Sequence, residues 1–425
     1  MDQNVYSAYL AILREELVPA MGCTEPIAVA YAAALARKAL GKFPEHTVLT
    51  VSNNIIKNVK SVIVPHTGGR KGLRAAVAIG ICCGDADREL EVISDADEAG
   101  IAAADEYREH GDIVIRESDA NCPFDIQVRL TAGQDSSYVR IIGHHTNVVR
   151  LEKNGAVLID VPFRDEVAPA PENRGLLTVE KIVEFADCVK IEDVEPILRR
   201  QVEYNMAIAE AGLVNRYGAA IGDILLKANG NSVQTRAKAW AAAGSDARMN
   251  GCELPVVINS GSGNQGMTAS IPVIVYAREL HASDELLYRA LTVSNLVTIH
   301  LKTGIGSLSA YCGATSAGAG AGAGICYLHG GRFDEIAHTV VNTLAINSGM
   351  ICDGAKSSCA AKIASAVEAG LLGWQMNAND RQFFGGDGIV VRGVENTIRA
   401  VSLLAREGMR STDDEIISIM LKNER

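Results

Sequence analysis

Cysteine is the residue type in this chain with the most chemistry to offer. Ten occur, at positions 23, 82, 83, 122, 188, 252, 312, 326, 352 and 359. Two of them, Cys352 and Cys359, stand with Asp353, Gly354 and Lys356 in the stretch MICDGAKSSCAAKI. On an unbroken helix their seven-residue spacing rises about 10.5 Å and returns to nearly the same face. That is too far for one zinc ion, whose sulfur bonds are about 2.3 Å, and the chain has no C-x-x-C. The two sulfurs could converge on a wider object, or Gly354 could break the helix. An iron–sulfur cluster is the wider object, and it takes thiolates from separate segments. Cys312 precedes a Gly/Ala run that reads as close helix packing or a loop. Cys23 lies in MGCTEP, at the start of a helix, where a thiol pKa is lowered towards thiolate. Spacing alone does not lift these four above buried, inert thiols. Adjacent Cys82 and Cys83 point to opposite sides of any helix or strand, which suits packing.

A second motif is polar. Gly261-Ser262-Gly263-Asn264-Gln265-Gly266 matches G-x-G-x-x-G after an apolar run. A dinucleotide fingerprint needs a βαβ unit around it; Pro272 lies just inside the would-be helix, and the continuation is unconvincing. A broader reading is an anion loop, with backbone N–H groups and Ser and Asn donors suited to a carboxylate. The plain alternative is a tight structural turn. Asn53, Asn54 and Lys57 in SNNIIKN are candidate substrate contacts, or else a solvated strand end. His144-His145 in GHHTNVV would face opposite sides of a strand, so at most one faces a site. A structural or surface role is weighed above a catalytic one.

These residues need elements to position them. YSAYLAILREELVPAM and EPIAVAYAAALARKALG have helical periodicity, with Pro26 in a first turn, Thr24 as N-cap and Gly41 as C-terminal cap. Residues 46–162 carry strand-like segments: TVLTVS, SVIVP, DIVIRES, FDIQVRLTA, SYVRIIG and NVVRLEKNGAVLIDV. Asn154-Gly155 marks a hairpin turn. Two helical pieces interrupt them, RKGLRAAVAIGICCG and DADEAGIAAADEYREHG. Residues 163–176 read as a proline-bearing linker, and 177–425 as nearly all helix. The predicted fold class is α+β: a mostly helical catalytic domain (177–425), joined by the helices of residues 1–45, with an inserted α/β, antiparallel-sheet module at 46–162. A hydrophobic share of 48% is ample for a core, while aromatics at 5% imply helices packed through small side chains.

Net charge is −11, with no basic stripe or aromatic–basic interleaving, so no nucleic-acid partner is expected. No signal-peptide pattern and no long apolar run appear. The expectation is a cytoplasmic protein with reduced thiols and no membrane partner.

Together, and in this order, MGCTEP, SNNIIKN, SGSGNQG, YCGATSAGAGAGAGI and MICDGAKSSCAAKI resemble the L-cysteine desulfidase family, related to the alpha part of the bacterial iron–sulfur L-serine dehydratases. The resemblance spans nearly the whole chain. It implies an oxygen-sensitive 4Fe–4S cluster and a lyase that converts L-cysteine to hydrogen sulfide, ammonia and pyruvate without pyridoxal phosphate. It makes Cys312, Cys352 and Cys359 the cluster ligands, leaving one iron open. It places Cys23 at that iron, as a displaceable ligand or a base. Thr24, Glu25, Asn54, Lys57, Ser260, Ser262, Gly263, Asn264 and Gln265 become substrate contacts. The serine-rich loop of the serine dehydratases is replaced by GCTEP, and the C-terminus IISIMLKNER has no cysteine. Both departures favour cysteine over serine, and neither excludes serine.

The rival readings are an iron–sulfur L-serine dehydratase, a non-enzymatic iron–sulfur redox sensor, a nicotinamide-dependent oxidoreductase, and a pyridoxal-phosphate lyase using Lys356. Which amino acid is preferred, which group is the base, and the oligomeric state (a homodimer is one expectation) are left open.

Overall fold

The structure is a computed structural model and describes residues 1–120, 122–162, 172–306 and 309–422. Helix α1 (Gln3–Glu16) is capped by the Asp2 carboxylate and buries Tyr9, Leu10, Ile12 and Leu13. A short strand β1 (Pro19–Met21) leads into α2 (Thr24–Leu40). Gly41 closes α2 with φ 80°, a left-handed conformation that favours glycine.

Strand β2 (His46–Val51) is followed by α3 (Asn53–Val59), α4 (Gly72–Cys83) and α5 (Glu98–His110). Then come β3 (Asp112–Glu117), β4 (Asp125–Ala132), β5 (Asp135–Ile142), β6 (Val148–Lys153) and β7 (Ala156–Asp160). They form one sheet in the order β3-β2-β4-β5-β6-β7. The sheet is mixed, not antiparallel as expected, because α4 and α5 carry the chain back so that β3 pairs parallel to β2. The predicted hairpin at Asn154-Gly155 is present, with φ of 51° and 80° and Lys153 opposite Ala156. Two expectations fail locally. SVIVP is not a strand; only Ile63 bridges, to Lys71. SNNIIKN is a helix rather than a strand end, and Lys57 and Asn58 are buried in it.

Among the described residues that follow, the elements are helices and one strand: α6 (Val179–Cys188), α7 (Ile191–Asn215), α8 (Ile221–Asn229), α9 (Val233–Met249), β8 (Pro255–Val257) and α10 (Gly263–Glu279). It continues with α11 (Asp284–Ile305), α12 (Gly313–Leu328), α13 (Phe333–Ile346), α14 (Cys359–Ala378), α15 (Val394–Leu403) and α16 (Arg410–Lys422). Helix α12 lies at the centre, with α10, α11, α13 and α14 packed around it. Its residues Ala314–Leu328 are all buried. The Gly/Ala run lets backbones touch: a Cβ on Gly318 would lie 2.3 Å from the Ala366 carbonyl oxygen, and one on Gly322 2.6 Å from that of Gly370.

The two N-terminal helices part company. Helix α1 packs against α7 and α11, but α2 lies on β4, β5 and α4, so it belongs with the sheet rather than with the C-terminal helices. The reason is composition. Residues Ile27–Ala34 of α2 are all buried, and such an all-round apolar helix needs cover on more than one side. Of the predicted linker, residues 163–171 lie outside the described residues. Residues Glu172–Leu176 form a single 3-10 turn, where buried Arg174 bonds the carboxylates of Glu15 and Glu16 at 2.9 and 2.7 Å.

No described helix is long and apolar enough to cross a membrane.

Candidate functional site

The thiols are brought together by backbone pairing. Tyr311 and Ile351 form an antiparallel bridge. The Cys312 N–H donates to the Met350 carbonyl at 2.9 Å, and the Cys352 N–H to that of Ala310 at 2.7 Å. Cys312 and Cys352 therefore sit side by side, and their sulfurs share a hydrogen bond. Cys312 is also the N-cap of α12. Gly354 does break the helix between Cys352 and Cys359: its φ is 92°, and α14 begins only at Cys359.

Charge follows this geometry. Cys352 accepts the hydrogen bond from Cys312 and has the Lys57 and Lys302 ammoniums near it, so its pKa is pushed down against the cost of burial. Cys312, as donor, is pushed well up. Burial raises Cys359, which feels the nearby Cys352 charge as well. Lys302 is buried and its pKa is lowered by desolvation, opposed by Cys352 and Cys312. Lys57 is buried and paired with Asp413 of α16. Its carbonyl and Cγ lie where a Cβ on Gly354 would stand, at 2.4 and 3.3 Å, so only glycine permits this approach.

The N-terminal segment reaches the same place through the β1–β8 pairing, which sets Met21 opposite Pro255. Cys23, not Thr24, is the N-cap of α2, and it makes no capping bond. Its thiol donates to Glu25 Oε2 at 3.1 Å. The expected thiolate is not favoured: burial and the Glu25 charge push Cys23 well up, and nearby Arg248 offsets this only in part. A helix N-terminus lowers a thiol pKa only if water or a cation balances the loss of solvation. Thr24 Oγ1 donates to the Gly261 carbonyl at 2.8 Å, so that side chain positions the glycine loop. Cys359 packs against the small apolar cluster of Cys23, Val62 and Met249.

The loop itself is a tight turn. Asn259 and Ser262 bridge each other, with φ of 50° at Ser260 and 74° at Gly261. Strand β8 and helix α10 flank it, but among the described residues β8 pairs with β1 alone, antiparallel, so no βαβ unit surrounds the G-x-G-x-x-G there. Ser260 Oγ is spent on Asn259 Oδ1 at 2.9 Å. Ser262, the N-cap of α10, makes no side-chain cap. The oxygens Asn264 Oδ1 and Gln265 Oε1 are buried without a partner. Gln265 packs on Gly313, next to Cys312: a Cβ on Gly313 would lie 2.5 Å from its amide carbon.

Asn54 Oδ1 is also buried and unpartnered, while Asn53 is turned to Glu117. Lys356 is tied to Asp353 Oδ1 at 2.5 Å, which leaves its amine ill placed for a Schiff base. Cys82 and Cys83 are held by burial at about 12 and 11, far from thiolate at neutral pH.

Two residues escaped sequence reading, Arg248 and Lys302, and a third, His145, was weighed there as structural or surface rather than catalytic. Arg248, at the end of α9, is 1% exposed. Lys302 lies near the end of α11. His145, on the β5–β6 connection, has its Nε2 buried and unpartnered. Its ring lies against Gly261, where a Cβ would meet Cε1 at 2.8 Å. Burial lowers its pKa to about 4. No spacing marks Arg248 or Lys302, and the expected strand alternation of His144-His145 does not apply because the pair lies between β5 and β6; each of the three becomes notable through what surrounds it.

Among the described residues, no three His, Cys, Asp or Glu side chains close on a single metal ion. Three half-buried thiols from separate segments, two of them in contact, are instead the donor chemistry of an iron–sulfur cluster. Fold and site define an α+β protein with three half-buried thiols gathered near a tight glycine turn at the start of α10. Comparison with known sequences agrees: the chain belongs to the serine dehydratase alpha chain family, whose pattern matches residues 87–418. It is 58% identical to a UPF0597 protein of Desulfitobacterium hafniense over 422 residues, 99% of this chain and 98% of that one. It is 47% identical to a UPF0597 protein of Treponema denticola over 429 residues, the full length of both. A UPF0597 protein of Vibrio parahaemolyticus is 39% identical, over 99% of this chain and 100% of its own.

Proposed function

We propose that this protein is a lyase that eliminates sulfide from L-cysteine, giving pyruvate, ammonia and hydrogen sulfide. The observation that carries the reading is the bridge that sets Cys312 beside Cys352, with Cys359 starting the next helix and two lysines nearby. Cys312, Cys352 and Cys359 would hold a 4Fe–4S cluster. When bound, the group supplies a Lewis-acidic iron for the substrate thiolate.

The chain's own residues account for the rest. Lys57 and Lys302 favour thiolate at Cys352, as ligation requires. The first turn of α10 presents free backbone N–H groups to a carboxylate. Gln265 Oε1 and Asn264 Oδ1 offer acceptors to an ammonium. The Cys23–Glu25 pair handles the proton: the resting proton lies on the sulfur and the carboxylate accepts the hydrogen bond. A base here removes the Cα proton as the C–S bond breaks and sulfide departs. The resulting aminoacrylate tautomerises to an imine, and water converts it to pyruvate and ammonia.

The test is anaerobic reconstitution with iron and sulfide, then pyruvate formation from L-cysteine and L-serine in parallel, with Cys352→Ala as control. Cysteine-dependent pyruvate, lost in the variant, is expected. Pyruvate from serine alone would replace this reading with an L-serine dehydratase, which the family match favours. Turnover of neither would overturn both.

A further inference from the structure

Arg248 presents an electrostatic problem that the foregoing does not solve. It is among the largest fully buried side chains. Its Nε donates to the Gly22 carbonyl at 2.8 Å, yet Nη2 is buried with no partner. Among the described residues no carboxylate forms an ion pair with it; Glu25 is instead engaged by Cys23 and Thr24. An uncompensated buried guanidinium is costly, so an anion is expected to complete the site.

The guanidinium lies at the start of α10. A Cβ on Gly263 would stand 2.4 Å from Arg248 Nε and 2.8 Å from Cζ. Gly263 is thus glycine because the arginine occupies its side-chain space. The same turn carries the uncapped amides of α10 and the buried, unpartnered Gln265 Oε1, and Gln265 in turn rests on Gly313 beside Cys312. The order is therefore cation, helix N-terminus, amide oxygen, thiols. That is the order of groups on an α-amino acid read from its carboxylate to its β-substituent.

We infer that Arg248 Nη2, with the first-turn amides of α10, binds the α-carboxylate of the substrate, and that Gln265 Oε1 accepts from its ammonium. The inference rests on the amino-acid reading of the site. A charge-assisted carboxylate contact contributes about a 10- to 100-fold gain in affinity.

The test uses the anaerobically reconstituted protein and calorimetric binding of L-alanine, which has no leaving group. L-Alaninamide, which lacks the carboxylate charge, is the paired probe and requires no mutation. The wild type is expected to prefer L-alanine by about 10-fold or more. Arg248→Gln should lower that preference about 10-fold, leaving the share due to the α10 amides, and Arg248→Lys should restore part of it. Equal binding of both probes by the wild type, or no binding of L-alanine, would overturn the inference. So would an Arg248→Gln variant that keeps the wild-type preference, with or without its cluster absorbance. Arg248-dependent discrimination without pyruvate formation would leave this inference standing and remove the lyase reading alone.

Discussion

The sheet module and the helical half solve the problem of holding a site in opposite ways. Around α12, α14 and α11, backbones touch through glycine and alanine, and there is almost no side-chain slack. That half provides the three thiols, the glycine loop, Arg248 and Lys302. The sheet module provides further polar side chains: His145 on the β5–β6 connection, and Cys23 and Glu25 at the start of the helix that lies on the sheet. It also brings Lys57 on α3. The contrast teaches that rigid backbone packing fixes the donors, while the polar partners arrive on an adjacent layer and converge through the β1–β8 pair, the Thr24–Gly261 and Arg248–Gly22 bonds and the Gly354–Lys57 contact.

Breaking the rigid side should have the largest effect. In Gly370→Val, a new Cβ would lie 2.2 Å from the Gly318 carbonyl. Neither helix backbone can yield locally, so a loss of about 3 kcal/mol or more is expected in urea unfolding. A change under about 1 kcal/mol would mean that the α12–α14 contact is not so close.

The junction between the halves comes next. Lys57→Met leaves Asp413 without its partner and removes a cation near Cys352. A loss of about 2–4 kcal/mol is expected, together with slower alkylation of Cys352 near neutral pH in the cluster-free protein. Unchanged alkylation would show that Lys57 does not set the charge of that thiol.

The sheet side predicts a pH effect. His145 is neutral in the fold, with a pKa near 4 against 6.5 for the free group. The unfolded chain therefore binds more protons between those values. The contribution is fully present above pH 6.5 and is lost as pH falls towards 4, at most about 3 kcal/mol. Replacing His145 with Gln should flatten the stability profile in that window; an unchanged slope would assign it to other groups. The smallest effect is expected at the hairpin: Gly155→Ala meets nothing within 4 Å but must keep φ at 80°, costing about 1 kcal/mol by thermal melting.

How much of this was legible in sequence depends on the range of the interaction. Local signals carried the strands of residues 112–160, the Asn154-Gly155 turn, α4, α5 and the Gly/Ala packing helix, because turn chemistry and periodicity act within a few residues. They failed at SVIVP, where β-branched residues suggested a strand but only Ile63 bridges, and at SNNIIKN, where a helix buries Lys57 against Gly354 and Asp413. They also misjudged Cys23: a helix start is visible in sequence, whereas a neighbouring carboxylate and complete burial are not. The motifs of the chain by themselves marked a family and a candidate donor set. Only the tertiary structure decided that Cys312 and Cys352 face each other, that α2 lies on the sheet, and that Arg248 is a buried cation rather than an ordinary helix-terminal one. The physical reason is that charge and solvation are set by neighbours distant in the chain, and only folding makes them neighbours.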